Sequence, residues 1–326
     1  MSERVSWLVT GAAGFIGCNL SAHLLENGSS VVGFDNFLTG KRENIVRLQA
    51  AYPETFRFIE GDILNAYEIH GAAAGCANVA HLAAQVSVQR SIDDMAETNA
   101  INVDGFLNVY DAALKAGAKR FIYASSCAVY GDNLDLPLRE SSASAPLSPY
   151  AVSKLANELY AGVLSRLHPS MTATGLRFFN IYGPWQDHNG GYAAVIPKWI
   201  AAVINGERPA IFGDGSATRD FCFVSDVCAV ICAATQVENK SGHAVYNVAS
   251  GTRISIKELY EEIVREVTRA GAGITFDSPR FESYRDGDIL HSYADIGAIR
   301  EMFGYQPEIG LAEGLRTIIS KQWNAE

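Results

Sequence analysis

The first half of the chain alternates short, largely apolar runs with longer stretches of helical spacing. Val5 to Val9, Val31 to Asp35, Phe56 to Glu60, Asn78 to Ala84 and Lys119 to Ala124 each read as strands. Runs of that length suit strands covered on both faces, the situation of a parallel sheet. Between them lie helical patterns. Leu20, Leu24 and Leu25 share one face, with Gly28 closing that helix, and Asn99 to Ala116 reads as one long amphipathic helix. Later, Thr172 to Arg177 predicts a sixth strand, Tyr246 to Ala249 another strand added to the sheet, and Ile254 to Ala270 an amphipathic helix. Strand, helix, strand in succession predicts an α/β fold with a doubly wound parallel sheet of the Rossmann kind, joined by a smaller interleaved α/β domain. The expected division is 1–180 for the first domain, which also receives about 222–250, and 181–326 for the second.

Composition agrees with a large buried core. The 326 residues are 48% hydrophobic and 19% charged, a balance that argues against disorder. The formal net charge of −10 excludes a general nucleic-acid or acidic-membrane surface. Any anionic small ligand therefore needs locally placed arginines or helix N-termini. Cys18, Cys76, Cys127, Cys222, Cys228 and Cys232 form no Cys-x-x-Cys pair and have no histidine at metal-ligand spacing. They are expected to be reduced, mostly buried small residues of a cytoplasmic protein without a bound metal. No segment has the length of a membrane helix, and the chain runs from Met1 almost directly into a strand, so no signal peptide is expected.

The turn after the first strand carries the first chemistry. Thr10-Gly11-Ala12-Ala13-Gly14-Phe15-Ile16-Gly17 joins strand to helix, and the second strand ends in Asp35-Asn36. Gly11 permits the tight turn, Gly14 lets backbone approach a pyrophosphate, and Gly17 lets helix and strand pack closely. The helix N-terminus, at Phe15 and Ile16, offers free N–H groups to phosphates. Asp35 suits the two ribose hydroxyls of NAD and would repel the extra phosphate of NADP. Ala83, in a run of small residues after the fourth strand, is a candidate for contact with a flat ligand. His81 reads as a packed strand residue. Gln85 to Arg90, including Ser87, is expected to loop over the site.

The second chemistry is Tyr150-Ala151-Val152-Ser153-Lys154. Residues four apart on a helix share a face. A lysine ammonium beside a tyrosine is expected to favour the phenolate and lower its pKa, giving a base for a hydroxyl proton. Ser125 and Ser126 stand at the carboxyl end of the fifth strand, where doubly wound folds bind ligands. A serine there can hydrogen-bond a substrate hydroxyl or a developing ketone.

Together these motifs resemble the extended short-chain dehydrogenase/reductases, whose Gly-x-x-Gly-x-x-Gly spacing this turn has. Within them the chain is similar to the UDP-sugar 4-epimerases over almost its whole length. The resemblance implies NAD as bound cofactor, a UDP-sugar substrate, a homodimer built on a four-helix bundle, and catalysis by Ser126, Tyr150 and Lys154. Ser126 is chosen over Ser125 by its register to Tyr130. It also implies adenine contact by Asp62 and Ile63, and a place near the nicotinamide for Asn102. Asn180, Arg219 and Arg285 are implied as phosphate ligands, Val195 and Phe212 as uracil-side contacts, Asp288 as a ribose ligand and Ser87 as a substrate contact. Trp185 departs from an arginine common among such proteins. Dehydratases and decarboxylating relatives carry an acid after the catalytic serine, and here Cys127-Ala128 supply none. Ser292 matches a position that gates the sugar pocket, and its small size implies room for an N-acetyl group. The expected reaction is interconversion of UDP-N-acetylglucosamine and UDP-N-acetylgalactosamine, or of their uronic acid forms. Plain UDP-hexose and UDP-glucuronate stay open as substrates, as does a non-catalytic NAD-binding role. The helices at Asn99–Ala116 and Ser153–Leu167 are candidates for the dimer contact.

Overall fold

A computed structural model describes residues 4–187, 194–237, 242–271, 278–284 and 289–323, without the side chains of 322 and 323. The first half follows strand and helix in turn: β1 (Ser6–Thr10), α1 (Phe15–Glu26), β2 (Ser30–Asp35), α2 (Arg42–Ala51), β3 (Phe56–Glu60), α3 (Ala66–Ala73) and β4 (Asn78–His81). Two short helices, α4 (Val88–Asp93) and α5 (Met95–Asn99), lead through a π-helical turn at Ala100–Asp104 into α6 (Gly105–Lys115). Then come β5 (Arg120–Ser126), a 3₁₀ turn at Cys127–Tyr130, α7 (Pro149–Leu167), β6 (Thr172–Phe178) and β7 (Asn180–Tyr182).

The remainder comprises α8 (Val195–Ile204), β8 (Ala210–Phe212), β9 (Thr218–Arg219), β10 (Phe221–Phe223), α9 (Val224–Gln236), β11 (His243–Val248) and β12 (Ile254–Ser255). It ends with α10 (Ile256–Arg269), β13 (Arg280–Glu282), α11 (Gly297–Phe303) and α12 (Leu311–Trp323).

Seven strands form one parallel sheet in the order β11-β6-β5-β4-β1-β2-β3. The strand order reverses between β1 and β4, so a crevice opens there at the carboxyl ends of the strands. Each face of the sheet has its own core. One gathers Phe106, Tyr110, Phe121 and Tyr123 with α3 and α6. The other holds Cys18, Leu20 and Leu24 of α1 together with Val227, Cys228 and Ile231 of α9. A third apolar cluster, built on α8, α10 and α12, encloses Trp199, Ile200, Leu259, Ile263, Leu315 and Ile318. Beside it lie three small two-stranded sheets, β7 with β10, β8 with β13, and β9 with β12.

Two expectations change here. The long helix over Asn99–Ala116 is interrupted by the π-helical turn, which admits one extra residue and rotates Asn102 inward. Gln85–Arg90 is not all loop, because Ser87 accepts a hydrogen bond from Arg90 N and caps α4. All six cysteines are free, four of them buried. Among the described residues no helix is long and apolar enough to cross a membrane, and no cluster of three His, Cys, Asp or Glu side chains could hold a metal ion.

Candidate active site

A cavity of about 660 Å³ occupies the crevice at the strand-order reversal. Gly11, Gly14, Phe15, Ile16, Gly17, Asp35, Asn36, Asp62, Ile63 and Ala83 line one part of it. Gly11 holds φ +72, where a side chain is strained, and an added Cβ would strike Ala83 N at 2.8 Å. A Cβ on Gly17 would lie 2.0 Å from Gly11 O, so only glycine allows α1 to start this close to β1. Asp35 is nearly buried. Its two carboxylate oxygens accept from Ala13 N at 3.0 Å and Phe37 N at 2.7 Å. Burial raises its pKa, and these two N–H groups pull it back. Asn36 Nδ2 donates to Asp62 Oδ2 at 3.0 Å, tying the ends of β2 and β3 together at the cavity edge.

Ser126, Tyr150 and Lys154 line the neighbouring part of the same cavity. Ser148 caps α7 by accepting from Ala151 N, and Pro149 takes a first-turn position where its missing N–H loses nothing. Tyr150 therefore lies in the first turn and Lys154 one turn on. Lys154 is 4% exposed, donates from Nζ to Ala124 O at 3.0 Å, and lies 5.8 Å from the Tyr150 ring centre. Burial pushes the Tyr150 phenol up to about 12, while a hydrogen bond with Ser126 lowers it. Burial also pushes Lys154 down to about 8. This corrects the expectation that the lysine lowers the tyrosine pKa. In the site by itself, desolvation disfavours the charge of both groups. His81 is packed as expected. Its ring bonds Thr10 Oγ1 at 2.8 Å, and burial with the Lys154 charge holds it down to about 3.

Asn102 does not line the cavity. It is buried, donates to Gln85 O at 2.9 Å and to Ser153 Oγ at 3.0 Å, and accepts from Gln85 N at 2.8 Å. It thus fastens the segment after β4 to α7 and stays outside the cavity lining. Ser125 is no simple strand cap. Its Oγ donates to Glu158 Oε1 at 2.5 Å. Glu158 is in turn held by two bonds from Arg177, at 2.9 Å and 2.7 Å, and both charged side chains are buried. Arg177 continues to the Tyr130 hydroxyl at 2.7 Å.

The expected substrate-side residues are more scattered. Ser87 lines the cavity. Asn180 donates to Asp220 O at 3.0 Å, and Val195 opens α8. Phe212 ends β8, where Gly213 N bonds Glu282 O. Arg219 donates to Thr218 O and Leu290 O, and its charge acts on Cys127 beside Ser126. Ser292 is buried, with its N–H on Thr218 O at 3.1 Å. Arg285 and Asp288 lie outside the described residues. Lining residues that the sequence did not suggest include Leu38, Thr39, Lys41, Asn44, Gln186 and Asp187. Asn44 sits inside an ordinary helical pattern, and nothing in that pattern announces its bond to Ala13 O at 2.9 Å.

The family model described as the NAD dependent epimerase/dehydratase family matches residues 7–249. The chain belongs to this family. NAD is the cofactor of this epimerase/dehydratase, and the cradle fits it. Gly11 and Gly17 leave no room for a side chain, a Cβ on Gly14 would meet only Gly11 O at 3.2 Å, and the buried Gln186 Oε1 in the cavity wall has no partner. Among relatives, a UDP-glucose 4-epimerase of Mycolicibacterium smegmatis is 38% identical over 94% of this chain and 95% of its own. The structure of a UDP-N-acetylglucosamine 4-epimerase from Methanobrevibacter ruminantium, in complex with UDP-N-acetylmuramic acid, is 33% identical. It covers 99% of this chain and 100% of its own, with a TM-score of 0.90. A UDP-glucuronic acid 4-epimerase structure from Bacillus cereus, complexed with a fluorinated UDP-glucuronic acid and NAD, is 27% identical over 99% and 100%, with a TM-score of 0.88.

Proposed function

We propose that the chain is a UDP-sugar 4-epimerase whose substrates are UDP-N-acetylhexosamines or their uronic acids. The observation that carries the reading is the convergence of Ser126, Tyr150 and Lys154 on one cavity that also contains the dinucleotide cradle. NAD, when bound, would supply reversible hydride-transfer chemistry for carbon 4 of the sugar. Tyr150 takes the proton of the 4-hydroxyl and gives it back. Ser126 holds the oxygen at carbon 4 as it becomes a ketone. Lys154, anchored on Ala124 O, fixes a positive charge one turn from the phenol and would hold the nicotinamide ribose. Gly11, Gly14 and Gly17 with Phe15 and Ile16 would hold the diphosphate, and Asp35 with Asn36 the adenosine ribose. Asp62 and Ile63 would serve the adenine, and Ala83 the dinucleotide. Asn180, Arg219, Arg285 and Asp288 serve the UDP diphosphate and ribose, with Val195 and Phe212 at the uracil. Cys127-Ala128 provide no acid for dehydration or decarboxylation. The small, buried Ser292 favours an N-acetylated sugar.

The assembly in this reading is a homodimer. Val88, Ile92 and Met95 on α4 and α5, and Val152, Leu159, Val163 and Leu167 on α7, are exposed apolar side chains on neighbouring helices. Apolar surface of this extent marks an interaction face. The face is formed by α4, α5 and α7, whereas the expected Asn99–Ala116 helix turns its apolar side into the core.

The purified protein is to be incubated with UDP-N-acetylglucosamine, UDP-glucose and their uronic acids without added NAD, and the products resolved by anion exchange and NMR. Conversion of an N-acetylated substrate to its carbon 4 epimer supports the reading, and a Tyr150→Phe protein with full turnover refutes it.

A further inference from the structure

Trp185 to Asp187, next to Pro184, form one wall of the dinucleotide cavity, and the fastenings of this segment serve none of the chemistry above. Asn19 of α1 donates to Pro184 O at 3.0 Å and to Phe15 O at 2.8 Å. Lys41, on the stretch between β2 and α2, meets Asp187 Oδ1 at 2.7 Å, and both line the cavity. Trp185 lines it too, with φ +67, a conformation bulky residues rarely adopt. Such a backbone persists only where its surroundings hold it. Its indole is within cation–π range of two helices, with the Arg47 guanidinium of α2 at 5.1 Å from the ring centre and the Lys321 ammonium of α12 at 5.7 Å. The wall is therefore fastened to the Gly-rich turn, to the segment after β2, to α2 and to the last helix.

We infer that Lys41, Trp185 and Asp187 are positioning residues forming a clasp that keeps the dinucleotide in its cavity between turnovers. The inference rests on the proposed function, in which the cofactor is regenerated in every cycle and has no reason to leave. Release requires the wall to part from the cradle, so each fastening adds to the barrier. A half-exposed ion pair and a cation–π contact are each weak, and loss of either is expected to speed release about tenfold at most. Loss of both multiplies the effects.

The test measures release of NAD from the whole protein as purified. Protein is transferred to dinucleotide-free buffer, sampled over time by gel filtration, denatured, and its NAD content determined by chromatography. Trp185→Gly removes the indole while placing glycine where φ is positive, so the backbone is relieved. Lys41→Met and Asp187→Asn remove the ion pair at the surface, and they carry the test by themselves if the glycine variant does not fold. The expected result is faster release in each and faster still in Trp185→Gly with Asp187→Asn. High salt should speed release from the unaltered protein more than from the Asp187→Asn protein, because half-exposed pairs are screened. Release half-times equal to the unaltered protein in all variants would overturn the clasp. NAD content is read without any sugar substrate. Retained NAD with no epimerase activity would therefore refute the proposed function and leave the clasp standing.

Discussion

Replacing Lys154 by methionine should remove activity and yet stabilise the protein at neutral pH. Lys154 is 4% exposed, and burial holds its pKa near 8 against an ordinary value of 10.5. Below about pH 8 both folded and unfolded chains carry the proton, and the folded chain bears the full penalty of a buried ammonium. Between about 8 and 10.5 the unfolded chain binds more protons than the folded one, so stability rises with pH and the penalty disappears. Methionine has a similar length and no charge, so its advantage is complete at low pH and lost at high pH. Linkage with these two values gives a change of roughly 2.5 kcal/mol in the stability difference between pH 7 and pH 10. The lost hydrogen bond to Ala124 O affects both ends of that range and largely cancels from the change. Urea unfolding of both proteins, freed of dinucleotide and followed by circular dichroism, measures the difference at each pH. A stability difference that stays constant from pH 7 to pH 10 would refute the desolvation argument for this lysine.

Ser292→Tyr should lower kcat/KM for UDP-N-acetylglucosamine by tenfold or more relative to UDP-glucose, because a ring replaces a hydroxymethyl group at a buried position; competition assays with both substrates read the ratio. Arg177→Met leaves the buried Glu158 carboxylate with Ser125 as its remaining side-chain donor and should cost about 3–5 kcal/mol in urea unfolding. Adding Glu158→Met should recover part of that loss, since the double change removes the buried charge and leaves the Ser125 hydroxyl and the Glu140 carbonyl without these partners, at about 1–3 kcal/mol for each unpaired group; simple additivity would be the contrary result. Leu159→Glu with Val163→Glu places two charges on the exposed face of α7 and should convert the proposed dimer to a monomer by light scattering, while an unchanged mass would argue against that face.

The features readable from the sequence were those set by local sterics and by burial. The run at Thr172–Arg177 became an inner strand of the parallel sheet because an apolar run of that length has nowhere else to bury both faces, while Phe56–Glu60, with Arg57 and Glu60 exposed, became its edge strand. The glycine turn was legible because Gly11 and Gly17 answer to hard contacts that no other residue avoids. What escaped depends on partners distant in the chain. The π-helical turn at Ala100–Asp104 has no spacing signature, since its extra residue is held by the bonds of Asn102 to Gln85 and Ser153. The Glu158–Arg177 pair had a readable half. Arg177 stands in a strand that should be buried on both faces, and a buried arginine implies an anion. Which of the chain's 36 acids answers it is a question of topology, settled when α7 crosses over β5 and β6.

The charge state of the Tyr150–Lys154 pair escaped for a different reason. Tyr-x-x-x-Lys states that two groups are close, and closeness by itself favours a phenolate beside an ammonium. Sequence gives no depth, and at this depth burial acts on both groups in the opposite sense, taking the tyrosine up to about 12 and the lysine down to about 8.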